Sequence, residues 1–121
     1  MKARGGELAR LLAVLMLSIL ASGCIDRTWH TPEEVRGAIG EDRILGRSPA
    51  QVVSLLRRVR LKRDDSLQVS SFYPDIRQIQ ASVAHARRTL WVLWDIDVTV
   101  TFDSTLKATG LDVEYDAVNP L

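Results

Sequence analysis

Residues 94–102 read Trp-Asp-Ile-Asp-Val-Thr-Val-Thr-Phe, in which Trp94, Ile96, Val98, Val100 and Phe102 alternate with Asp95, Asp97, Thr99 and Thr101. Successive side chains of a strand point to opposite faces, so this pattern predicts a β-strand with one buried and one wetted face. A single wetted face is the habit of antiparallel sheets. Upstream, Ile79, Ala81 and Val83 alternate with Gln78, Gln80 and Ser82, which predicts a preceding strand. Downstream, Leu106 and Ala108 keep the apolar phase on even numbers, and Leu111, Val113, Tyr115 and Ala117 continue it on odd ones. A phase flip beside a glycine predicts a β-bulge at Thr109-Gly110. Residues 67–71 are a candidate short edge strand.

Before residue 66 the period is helical. Thr31-Pro32-Glu33-Glu34-Val35 and Ser48-Pro49-Ala50-Gln51-Val52 share one helix-start grammar. In each, a hydroxyl can cap the N3 amide, proline occupies N1, and Glu34 or Gln51 can reach back to close a capping box. The first helix is expected to stop at Ile39 with Gly40 in the left-handed region. The second carries Val52, Leu55, Leu56 and Val59 on one stripe. The expected fold is therefore α+β, two N-terminal helices packed on one face of a three-stranded antiparallel sheet (ααβββ).

The chain has 121 residues, with 16 Lys+Arg against 15 Asp+Glu and one cysteine. Lys2, Arg4 and Arg10 with Glu7 make a basic start, and Leu11–Ala21 follow without a charge. Eleven uncharged residues are too few for a membrane span, which needs about 20, and suit the core of a secretory signal peptide. The segment closes on Leu20-Ala21-Ser22-Gly23-Cys24. This resembles the lipobox of bacterial lipoproteins, with Ala21 where that family commonly has leucine. The resemblance implies cleavage between Gly23 and Cys24 and a lipid on the Cys24 sulfur. Ala21-x-Gly23 also fits ordinary secretory cleavage, which would leave an unpaired thiol at the new N-terminus of an exported protein. An uncleaved anchor is a third alternative. In such lipoproteins an Asp after the cysteine marks retention at the inner membrane; Ile25 here implies the outer membrane, facing the periplasm, with Asp26 one place later. The expected organisation is signal peptide 1–23, lipidated tether 24–31 and one periplasmic domain over 32–121.

Without residues 1–23 the balance is 13 Lys+Arg to 14 Asp+Glu, which argues against a nucleic-acid partner. The residues Ile44-Leu45-Gly46-Arg47-Ser48, then Val52 and Leu55-Leu56, resemble a pattern of the SmpA/OmlA (BamE-like) small outer-membrane lipoproteins. That family commonly continues with Gly-x-Pro, where this chain has Arg57-Arg58-Val59. The resemblance implies a two-helix, three-strand domain over about residues 44–117, and a role among envelope proteins.

A three-residue loop Asp103-Ser104-Thr105 would set Asp97 opposite Asp112 and Asp95 opposite Glu114 on the wetted face. Like charges directly opposite repel, so four carboxylates there point to a basic protein partner or an oxygen-ligated divalent cation. A plain solvated face, screened by salt or neutralised by the chain's own arginines, is the alternative. Trp91 and Leu93 stand beside these acids and form either an interface centre or a patch covered by Trp29. Arg57, Arg58, Arg60, Lys62 and Arg63 are a basic cluster that suits a solvated helix end or anionic headgroups. His30 and His85 are the two histidines; His30 falls in the expected tether and His85 at a strand end. No G-x-S-x-G, P-loop, H-E-x-x-H or Cys/His metal-ligand spacing is present. The expectation is a non-catalytic binding or scaffolding lipoprotein, attached to the membrane through Cys24 and engaging an envelope protein. Its candidate partner-binding residues are Trp91, Leu93, Asp95, Asp97, Asp112 and Glu114, with no cofactor, metal or small-molecule ligand. The alternative is an inhibitor or immunity-type domain that blocks a secreted enzyme through the same face.

Overall fold

The computed structural model describes residues 10–12 and 26–118. Most of the signal-peptide core (residues 13–21), the Gly23/Cys24 cleavage site and the Cys24 lipidation site lie outside the described residues. The element order is β1 (Arg27–Thr28), α1 (Pro32–Ile39), α2 (Glu41–Ile44), α3 (Pro49–Arg58), a 3-10 turn (Lys62–Asp64), β2 (Gln68–Val69), β3 (Gln78–Arg88), β4 (Leu93–Phe102) and β5 (Ala108–Val118). Short helices precede an antiparallel sheet curled into a half-barrel, an α+β arrangement. The sheet has five strands in place of the expected three, ordered β1-β3-β4-β5, with β2 also on β3. Because β4 takes one edge of β3, β1 and β2 share the other, at Arg87/Arg88 and at Ala81/Ser82.

The helix starts follow the local rules unequally. In α3 the capping box is complete: the Gln51 amide donates to Ser48 Oγ (3.4 Å) and the Ser48 amide to Gln51 Oε1 (3.1 Å). In α1 the Glu34 amide donates to Thr31 Oγ1 (3.1 Å), but the Glu34 carboxylate turns to the His30 ring instead of back to the cap. Gly40 stops α1 at φ +76°, as expected. The chain then starts a helical turn the sequence reading missed, α2, whose Ile44 is fully buried. Gly46, at φ +79°, turns the backbone so that its amide donates to the Ala108 carbonyl while the Arg47 carbonyl accepts from the Ala108 amide. That pair ties the helical layer to the start of β5.

Residues 27–30 of the expected tether (24–31) pack on the domain. Arg27 and Thr28 pair with Arg88 and Arg87, and the Trp29 and His30 amides both donate to the Ala86 carbonyl, at 2.9 and 3.0 Å. His30 is 2% exposed. A two-residue strand carries no periodicity, which is why the composition of 25–31 did not show it.

The core lies between the helices and the inner sheet face. Val35, Ile44, Val52 and Leu56 meet Ile79, Ile96, Val98 and Val100, all at 0% exposure. The β4 alternation holds along its length, with even-numbered residues 96–102 buried. β3 departs from strict alternation. Between the Val83↔Ile96 and Arg87↔Trp94 pairs, three residues face one, and His85 sits at φ +56°. This wide bulge switches the buried phase from Val83 to Ala86 and presents the Ala86 carbonyl to Trp29 and His30.

The bulge predicted near Thr109 is present, with Thr109 the extra residue between the Thr101↔Gly110 and Phe102↔Ala108 pairs. The turn before it is not where the sequence reading put it. Asp103 closes the hairpin against Lys107, and Leu106 occupies the left-handed position at φ +60°, exposed and not opposite Phe102. Asp103 Oδ1 accepts from the Thr105 hydroxyl (2.7 Å), the Thr105 amide (2.9 Å) and the Lys107 amide (3.0 Å). These bonds, the Thr105 hydroxyl foremost, hold its carboxyl below the usual carboxylate range.

Candidate functional site

The turn position sets which acids meet on the outer face. The expected pairs, Asp97 opposite Asp112 and Asp95 opposite Glu114, are displaced by two residues. Asp95 faces Asp116, Asp97 faces Glu114, and Asp112 faces Thr99. Asp112 therefore stands at the side of the cluster, and Asp116, which the sequence reading left out, joins it. Asp97 also neighbours Ser82, and Ser82 neighbours Gln68. The row Gln68-Ser82-Asp97-Glu114 thus crosses four strands. Beside it lies a shallow polar groove of about 440 Å³ lined by Gln68, Ser70, Gln80, Ser82, Asp97 and Thr99.

Among the described residues, no Lys or Arg nitrogen comes within 4.0 Å of these carboxylates; the arginines in ion pairs are Arg36 with Glu41 and Arg87 with Asp26. Among the described residues, no arginine pairs with an acid of this face. Partial burial raises the Asp97 carboxyl above its ordinary value, reinforced by Asp116 beside it and by the charges of Asp95 and Glu114. Among the described residues, no three His, Cys, Asp or Glu side chains are grouped so as to hold a metal ion.

The acids differ in what they do. Asp95 Oδ1 accepts the His85 amide in the β3 bulge at 3.0 Å, so this carboxylate caps backbone that would otherwise lack a partner. Asp97 has no such bond. Asp97→Asn is expected to stabilise the domain by about 0.5–1 kcal/mol, the scale of a cross-strand charge pair. The sign is set by the raised folded pKa: the ionised form is disfavoured in the fold, so the cost is present at neutral pH and vanishes once Asp97 is protonated in both states. Urea unfolding of the variant and wild type at about pH 7 and about pH 3 checks this. A gain of equal size at both values would trace the effect to something other than charge.

Trp91 is not on this face. It lies in the β3–β4 turn, where Thr89 closes on the Val92 carbonyl through its amide (2.9 Å) and hydroxyl (3.2 Å), and it is 75% exposed. Leu93 is on the outer face, opposite Val118 and beside Arg88. Trp29 flanks the turn and lines the same open hollow without covering Trp91.

A second cluster was hidden from the sequence reading. His30 Nδ1 lies 2.9 Å from Glu34 Oε2, and Nε2 lies 2.7 Å from Asp65 Oδ2. The His30 carbonyl accepts from the Tyr115 hydroxyl at 3.0 Å. Tyr115 packs edge-on against Trp94 and under Arg87. Burial by itself lowers the imidazole pKa, but hydrogen bonds to Asp65 and Glu34 outweigh it and the net shift is upward. With a carboxylate on each ring nitrogen, the charged, doubly donating form is the one that satisfies both. This ring joins β1, α1 and the segment after the 3-10 turn, and neither nitrogen is free for acid–base work.

Among the described residues, no helix is long and apolar enough to cross a membrane. No family model, curated protein or solved structure matches the chain.

Proposed function

We propose that this chain is an outer-membrane lipoprotein, held by lipid on Cys24 and facing the periplasm, whose domain is a non-catalytic module that binds a basic envelope protein. The single observation that carries the binding reading is the cluster of Asp95, Asp97, Glu114 and Asp116, which no Lys or Arg among the described residues pairs with. A field of one sign beside a polar groove attracts and orients a partner of the other sign. Lysine or arginine side chains entering the groove beside Asp97 would relieve repulsion that the isolated domain carries. The non-catalytic reading is supported by His30, whose two nitrogens are both engaged.

The test places a photoreactive residue at Thr99, next to the acids, in the full chain within intact envelopes. The expected result is a cross-link to one basic protein that is lost in the Asp97→Asn, Glu114→Gln, Asp116→Asn variant. A cross-link pattern that ignores this loss of charge overturns the acidic-face reading. The identity of the captured protein separates scaffolding from blockade of a secreted enzyme. Mass measurement of the N-terminal peptide independently tests the lipid on Cys24.

A further inference from the structure

The β3–β4 turn ends the sheet in two large apolar side chains that no described residue covers, Leu90 at 52% and Trp91 at 75% exposure. The hollow around them is lined by Trp29, Val92 and Leu93 as well. Arg88 also lines it, and Arg27 faces Arg88 across β1 and β3, both exposed. Among the described residues, neither has a carboxylate within 4.0 Å.

Strand register shows where the chain enters. β1 is antiparallel to β3, with Thr28 on Arg87 and Arg27 on Arg88. The next residue upstream, Asp26, therefore continues past Arg88 toward Leu90 and Trp91. Asp26 is held there by paired contacts with Arg87, at 3.2 and 3.3 Å. Cys24 precedes Asp26 by two residues, and two residues span at most about 7 Å. Because Asp26 already belongs to the described fold, two residues separate it from Cys24, where eight would separate a fold that began at Pro32. A long tether would leave the domain free to tumble; a two-residue link brings this end of the sheet against the surface that holds the lipid.

We infer that Leu90 and Trp91 seat in the phospholipid interface beside the Cys24 anchor, with Arg27 and Arg88 on headgroup phosphates. The inference rests on the lipoprotein reading above and adds an orientation to it. Tryptophan favours this boundary because its ring is apolar and its N–H is not. Leucine adds buried apolar area, and arginine matches phosphate in a fork geometry. The lipid on Cys24 supplies the attachment, and contacts of this kind fix the orientation of the domain on it. The strands then rise away from the membrane. The first acid pair, Asp95 and Asp116, stands one step above Leu93, and the β4–β5 turn lies roughly 30 Å from the surface, the length of a ten-residue strand. The carboxylates stay in water, where a soluble or membrane-bound partner can reach them.

Cys24 is the only cysteine in the sequence, and a lipidated Cys24 has no free thiol. Leu90→Cys therefore provides a unique labelling site, and Leu106→Cys, exposed at the opposite turn, a control. Each full chain, purified from membranes, carries a nitroxide at the new thiol and is reconstituted into vesicles of phosphatidylethanolamine and phosphatidylglycerol. Collision with oxygen is then compared with collision with a water-soluble nickel chelate, and the mass of the Cys24 peptide is measured on the same samples. The expected result is a lipid-modified Cys24, oxygen-favoured collisions at position 90 at a depth of about 5–10 Å, and nickel-favoured collisions at position 106. Lipid on Cys24 with both sites nickel-accessible overturns the inference and leaves the anchor intact. An unmodified Cys24 in the membrane-purified chain overturns the anchor and the inference with it.

Discussion

His30→Ala is expected to cost the domain about 3–5 kcal/mol, the range for removing one partner from a buried ionic cluster. The ring is 2% exposed and is the shared partner of Glu34 and Asp65. Its loss leaves the mostly buried Glu34 carboxylate facing a cavity, and Asp65, half exposed, turns to solvent at little cost. Most of the penalty therefore comes from Glu34, and Glu34→Gln in the His30→Ala background should recover part of it. Recovery of nothing would mean that the ring acts through packing rather than charge.

The same cluster sets a pH dependence. The folded pKa of His30 is raised above its ordinary 6.5, so the fold binds this proton more tightly than the unfolded chain does. Its contribution is complete below the unfolded value and is lost as pH rises through the folded one. Asp97, also raised, acts in the same direction at lower pH. Stability should therefore decline from mildly acidic to mildly alkaline solution. The upper part of that decline should vanish in His30→Ala and the lower part shrink in Asp97→Asn. Urea midpoints across the range measure both; a profile of His30→Ala parallel to wild type above about pH 6.5 would rule out the imidazolium.

Ile96→Ala should cost about 3–4 kcal/mol. Ile96 is fully buried on the central strand, between Val83 and Tyr115 in the two ladders. Strands pinned on both sides by hydrogen bonds collapse poorly around a deleted side chain, so a cavity remains. A domain of this length is stable by about 5–15 kcal/mol, so the melting temperature should fall by at least about 12 °C. Thr99→Ala, on the other face of the same strand, should stay within about 0.5 kcal/mol. Comparable losses at both sites would mean that β4 is not sided as described.

The position of the β4 strand and its buried face were legible because alternation has only two phases, and one of them puts four carboxyl and hydroxyl side chains in the core. Register was not legible, for a reason particular to this hairpin. Sliding β5 by two residues keeps every side chain on its own face, so hydrophobic patterning cannot tell the two pairings apart. The turn decides between them. Asp103 collects the Thr105 and Lys107 amides and the Thr105 hydroxyl, which moves the loop one residue on and exchanges Asp112 for Asp116 in the acidic cluster. The Asp95 cap on the β3 bulge was equally hidden, since a bulge of three residues against one leaves no mark in composition.

Read alone, the sequence determined the α+β class, the helix starts at Thr31 and Ser48, the inward face of β4 and the bulge at Thr109. Each follows from interactions among residues a few positions apart, where spacing is geometry. Tertiary structure decided what distant segments do to one another. It drew residues 27–30 out of the expected tether and onto β3, and set His30 between carboxylates 4 and 35 residues away. It also set Asp97 against Glu114 and left Trp91 at the end of the sheet beside the chain's entry point. Those pairings depend on how loops close and which buried charges find partners, and these energies are settled only when the whole core has formed.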